Sequence, residues 1–161
     1  MSTINYNNTT PAAPSGNANV TWQSDGSGNI SAYTPNRLAP IIGSSSTVAL
    51  TGTIYIPISG GFTSSTETNV NIESPAVGVI SNLYVQLSMA LGGGNSAAFT
   101  LRKNGVSTSL TCTISGASST TANDITHTVS IAEGDLLDIM IVPTGTIVVS
   151  PNIMTSMKWT G

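Results

Sequence analysis

The chemistry open to this chain rests on very few side chains. Seven acidic residues, four basic residues and one histidine, His127, are spread over 161 positions. Acyl-transfer catalysis of the Ser-His-Asp kind needs a hydroxyl, an imidazole base and a carboxylate that orients the base. His127 and Asp124 lie three residues apart, and any serine completes such a set on paper. No GxSxG elbow supports it, and in a Thr-rich alternating segment the imidazole reads as a core or interface group. Cys112, between Thr111 and Thr113, reads as a small buried residue of a strand rather than a nucleophile. As the only cysteine it excludes an intrachain disulfide framework and a multi-cysteine metal site. Glu133, Asp135 and Asp138 form the one acidic cluster. A hard cation such as calcium would want several such oxygens, but a Gly-Asp turn whose carboxylate caps backbone amides is the favoured reading. Glycoside hydrolysis needs two carboxylates facing each other, and these three fall in one turn. Gly92-Gly93-Gly94 precedes no helix and so cradles no phosphate. Arg102 and Lys103 read as a solvated rim at a hairpin mouth. No catalytic residue, cofactor or metal is expected, and the protein reads as a non-enzyme.

Composition narrows the partners. Charged residues make up 7% of the chain and the net charge is −3, against about 25% charged in an ordinary soluble domain. A nucleic-acid binder needs clustered cations to displace phosphate counterions, and a membrane-surface binder needs a polybasic patch; neither partner is expected. Serine and threonine together supply 46 residues, 23 of each, so small neutral polar groups build the surface. A 39% hydrophobic content excludes an acidic disordered tail. The start, MSTINYNNTTPAAPSG, has neither a basic nor an apolar targeting region, so no secretory signal is expected. The most apolar run, LLDIMIV, is short and interrupted by Asp138, too little to span a bilayer.

The elements that must position these groups are strands. Residues 1–46 are rich in Asn, Thr, Ser, Pro and Gly, and Pro11, Pro14, Pro35 and Pro40 oppose a long helix. They read as an extended N-terminal arm whose apolar residues, including Ile41 and Ile42, are too scattered for a core. Within it, residues 19–23 and 29–33 flank the turn-rich SDGSGN and predict a short β-hairpin, with Val20 and Trp22 against Ile30 or Tyr33. A lone hairpin is marginal in water, so Ile4, Tyr6, Val20, Trp22, Ile30 and Tyr33 are the candidate residues for binding a neighbour.

From residue 47 a two-residue period takes over. It predicts strands over 48–58, 79–91, 98–103, 106–114, 125–131, 136–142, 146–150 and 153–159. Leu83, Val85, Leu87, Met89 and Leu91 are expected on one face, as are Ile125, His127, Val129 and Ile131. Asn104-Gly105 between two alternating runs is the strongest hairpin signal, because both residues tolerate the positive φ of a type I′ turn. Strands at this spacing without a helix predict an antiparallel β-sandwich over 47–161, of jelly-roll type.

Two stretches also carry a family resemblance. INYNNTTPAAPSGNANVTWQSDGSGNISAYTP, Ile4–Pro35, resembles the arm of tailed-bacteriophage structural proteins. FTLRKNGVSTSLTCTI together with THTVSIAEGDLLDIMIVP, within Phe99–Pro143, resembles a domain of phage virion proteins. Its RKNG hairpin and GD turn are similar to those of trimeric jelly rolls of the C1q and tumour-necrosis-factor type. The resemblance implies a virion protein, first of all a capsid decoration protein that binds the major capsid protein or another virion protein through its arm and associates with itself as a homotrimer. A receptor-binding tail or fibre protein recognising host glycan is the alternative; a glycan depolymerase is the third reading.

Overall fold

The computed structural model describes residues 21–24, 27, 30–33 and 38–161. The chain divides into two compact units, Met1–Asn36 and Arg37–Gly161. In the first, β1 (Thr21–Ser24) pairs antiparallel with β2 (Ile30–Tyr33), with Trp22 opposite Ala32 and Tyr33 opposite Thr21. The hairpin therefore forms where its turn residues place it, in a register that pairs Trp22 with neither Ile30 nor Tyr33. Ile4, Tyr6 and Val20 lie outside the described residues.

The second unit is an all-β sandwich. Its strands are β3 (Leu38–Ser45), β4 (Ile54–Pro57), β5 (Gly60–Gly61), β6 (Ile72–Glu73), β7 (Gly78–Leu87), β8 (Ser96–Lys103), β9 (Val106–Ser115), β10 (Thr121–Ile131), β11 (Leu136–Thr144) and β12 (Ile153–Thr160). The first sheet runs β10-β7-β12-β3-β5, antiparallel except for the β3–β5 pair. The second runs β4-β11-β8-β9, with β6 alongside β11. One apolar layer between them holds Ile80, Leu83 and Val85 of the first sheet and Phe99, Leu101, Leu110, Ile114, Ile139 and Ile141 of the second. Alternation places them there: β9 buries Leu110, Cys112 and Ile114 and exposes the threonines between. The β8–β9 hairpin turns on Asn104 at φ 53° and Gly105 at φ 77°, the left-handed pair its sequence predicts.

Five expectations need correction. Residues 38–45, counted above with the arm, form β3 across the full length of β12, and Ile41 packs against the core. The expected strand over 48–58 shrinks to Ile54–Pro57, although Val48 and Leu50 still reach the core from irregular backbone. Residues 146–150 form no strand. Ile125 and His127 do not share the buried face of Val129 and Ile131; both are exposed. The cause is a bulge in β10 opposite Asn82, itself at φ 55°, where Asp124 pairs with Leu83 and Thr128 with Ser81. Residues 125–127 stand opposite the single Asn82, so alternation breaks there and the buried positions of β10 pass from Asp124 to Val129 and Ile131. Met89 is likewise exposed, because β7 ends at Leu87.

Candidate functional site

Three places bring polar or exposed groups together. At the β10 bulge, Asp124 is a buried carboxylate almost fully used by its own chain. Its Oδ1 accepts from the backbone N–H groups of Thr126 (3.0 Å) and His127 (3.2 Å) and from the Thr126 hydroxyl (3.0 Å). Its Oδ2 accepts from Thr111 N–H at 3.1 Å and lies 2.8 Å from His127 Nδ1. Burial works against its ionisation, but these donors outweigh it and hold the carboxyl well below the usual range. The structure thus brings His127 and Asp124 together, as a histidine base and its orienter would be. Among the described residues the hydrogen bonds of the imidazole go only to Asp124 and Thr126. The Thr126 hydroxyl meets the same ring nitrogen as Asp124, no hydroxyl or thiol bonds Nε2 among the described residues, and Asp124 ties β10 to β9 through Thr111 N–H. Cys112, nearby in β9, has its thiol pushed up to about 12, by burial first and the Asp124 charge second. A thiol so held is no nucleophile at neutral pH.

The acidic cluster at 133–138 does not converge. Asp135 caps its own turn: its carboxylate accepts from Ala132 N–H at 2.7 Å and Asn104 Nδ2 at 2.6 Å, and lies 3.5 Å from Lys103 Nζ. Asp138 is carried instead to the outer face of the second sheet, where it is 1% exposed. Residues 62–74 leave the sandwich and return over this face, and their short 3-10 turn, Glu67–Asn69, supplies its partner. Glu67 and Asp138 share a side-chain hydrogen bond. Arg102 in β8 grips Glu67 through Nε to Oε1 and Nη2 to Oε2, both 2.9 Å. Its guanidinium also bonds the Ser107 hydroxyl and the Gly105 carbonyl and lies 5.9 Å from the centre of the Tyr55 ring. Arg102 is therefore no solvated rim residue but the cation of a covered cluster. Two carboxyls do meet here, but one is sealed under residues 62–74 and the other is gripped by arginine, which leaves no open position for a substrate. No group of three or more His, Cys, Asp or Glu residues arranged to hold a metal ion occurs among the described residues.

The third place is the outer face of the first sheet. The register aligns four cross-strand rows: Ser44, Met154, Gln86 and Thr121; Ile42, Ser156, Tyr84 and Asn123; Pro40, Lys158, Ser81 and Thr128; Leu38, Thr160, Val79 and Ser130. Lys158 is the sole charged side chain in these rows. Ile42 is 69% exposed, Leu38 62% and Tyr84 46%. Two shallow concavities, of about 360 and 550 Å³, lie along the face on either side of the Ile42–Tyr84 row. The sequence reading missed this face because it assigned residues 38–45 to the arm and gave Tyr84 no role. The signal was the alternation of Leu38, Pro40 and Ile42, which pairs apolar side chains with outward positions.

No protein-family model matches the chain, and no curated protein matches it.

Proposed function

We propose that the protein is a non-enzymatic structural protein of a tailed-phage virion, a capsid decoration protein that associates with copies of itself through the open face of its first sheet. The observation that carries this reading is that face: four rows of outward residues with one charge and a line of exposed Leu38, Ile42 and Tyr84. Burying neutral side chains against a second copy avoids the desolvation cost that charges impose. Four strands about 4.8 Å apart and eight residues long at about 3.3 Å give a face on the order of 500 Å² in projection. Its accessible area is larger than that, close to the ~800 Å² per partner that a specific interface takes. Cementing a shell needs such contacts and no chemistry, since each one stabilises the assembly by mass action.

Other features fit this reading. Apart from the β8–β9 hairpin, consecutive strands among β3, β4, β7, β8, β9, β10, β11 and β12 cross between the sheets, in the orders β3-β12-β7-β10 and β4-β11-β8-β9, which we read as a jelly roll. A trimer is the assembly that the resemblance to trimeric jelly rolls implies. Ile4, Tyr6, Val20, Trp22, Ile30 and Tyr33 are then the arm residues that bind the major capsid protein or another virion protein. One observation favours a second reading, a fibre protein that binds host glycan: the exposed Tyr84 ring is flanked by the amides of Gln86 and Asn123 in the larger concavity. Immunogold labelling of phage particles with antibody against residues 37–161 tests the proposal. Label over the head supports decoration, label at the tail tip replaces it with the fibre reading, and unlabelled particles overturn both.

A further inference from the structure

The covered face of the second sheet carries an unbalanced set of charges. Asp138 on β11, opposite Pro57 of β4, meets Glu67 from the 3-10 turn and Arg102 from β8, whose guanidinium lies 5.9 Å from the centre of the Tyr55 ring. Glu73 of β6 sits beside Leu136 rather than Asp138, and Lys103 and Asp135 pair with each other at the turn. Two carboxyls therefore share one guanidinium, and Arg102 already has Glu67 on two of its nitrogens. The set is neutral only while one carboxyl keeps its proton, and two carboxylates at hydrogen-bond distance in a covered site repel strongly. Asp138 is the better shielded of the two, so it is the acid and Glu67 the acceptor.

Glu67 is also the main polar tie of the segment that covers this face. Its two ends are held by backbone: the paired bonds of Ser64 with Tyr55 (2.8 and 3.0 Å) at one, and at the other the short β6–β11 pairing with the bonds from Ser74 N–H to the Asp135 carbonyl (2.8 Å) and from Gly134 N–H to the Ser74 carbonyl (2.9 Å), so that Glu67 is what ties the stretch between them. We propose that residues 62–74 are a pH-sensitive strap, closed while Asp138 and Glu67 share a proton and released when that proton is lost. Release bares Asp138, Arg102, Thr100, Met140 and Tyr55, a second surface that a partner can meet only above the switching pH.

The sign follows from where the proton is held. Burial first, then the charge of Glu67 and its hydrogen bond, push Asp138 up to about 7, while Arg102 pulls the other way. With the strap open and Asp138 in water, the proton leaves near 3.8. Through Asp138, closure is therefore strongest near pH 4, weakens about tenfold per pH unit as pH rises, and levels off above about 7; Glu67, held low by Arg102, contributes the opposite slope only below its ordinary value of 4.5.

Hydrogen–deuterium exchange on the full chain, expressed as protection factors corrected for intrinsic exchange, reads this directly at Ser64, Asn69 and Val70. The expected result is a fall in their protection of about tenfold per pH unit between about pH 4.5 and 6.5, with Phe99 and Leu101 unchanged. Asp138→Asn keeps a donor for Glu67 without a titrating proton and should make strap protection independent of pH. Should that variant fold poorly, Glu67→Gln serves instead: it removes the repelling carboxylate, lets Asp138 ionise against Arg102, and should also flatten the profile. Wild-type strap protection that does not change with pH overturns the proposal, as does a fall that persists in either folded variant.

Discussion

The two sheets share one core but treat their outer faces in opposite ways. The second sheet places Asp138, Arg102, Thr100 and Tyr55 outward and then covers them with residues 62–74. Polar groups there take partners from within the chain: Glu67 for Arg102, and the Thr111 hydroxyl for that of Thr100 at 2.8 Å. The first sheet places Leu38, Ile42, Tyr84 and small hydroxyl side chains outward and leaves them open. A covered polar face is a closed system, whereas an open neutral face loses nothing by being covered from outside. While residues 62–74 are closed, the contrast separates a face occupied by its own chain from a face available to a neighbour at any pH, and it is why the proposed function rests on the first sheet.

Removing the cation from the covered face should have the largest effect on folding. Arg102→Ala leaves two carboxyls without their counter-ion and is expected to destabilise the β unit by about 2–4 kcal/mol at pH 7, below the full value for a buried pair because the partners keep 14% and 18% exposure. The loss should shrink toward pH 4, because Arg102 is what holds Glu67 below its ordinary range and, without it, the variant's Glu67 can take up a proton there; urea unfolding at both pH values checks size and sign. Smaller and more pointed is a matched pair of hydroxyl deletions. Thr100→Val on the covered face strips the Thr111 hydroxyl of one partner and should cost about 1 kcal/mol. Ser156→Ala on the open face should change unfolding by less than about 0.5 kcal/mol. Equal costs would erase the distinction between the faces.

Much of this fold is legible in the sequence. Asn104-Gly105 specifies its hairpin, and the alternation of Leu110, Cys112 and Ile114 specifies which side of β9 is inward. What escapes is where the period slips. Ile80 is inward on even numbering and Leu83, Val85 and Leu87 on odd, a change of phase that marks the bulge at Asn82. In β10 the bulge follows from Asp124, whose short carboxylate captures the next amides and so competes with the ladder. The covered cluster is half legible. An aspartate inside LLDIMIV demands a partner, but nothing local says that it comes from Glu67, 71 positions earlier. Long-range polar pairs belong to the topology, and only the folded sandwich brings them together.

If the open face of the first sheet joins copies of this chain, the molar mass in solution reports it. Light scattering should be run on the wild-type chain, on Ile42→Asp and on Val106→Asp, an equally exposed control at the hairpin mouth of the second sheet. The wild-type chain and Val106→Asp are predicted to run at the same whole-number multiple of 16.4 kDa. Ile42→Asp should fall to the single-chain mass with its β-sheet circular dichroism unchanged. A wild-type chain that stays monomeric at about 0.1 mM, or an Ile42→Asp variant that keeps the wild-type mass, would mean that this face does not join copies of the chain.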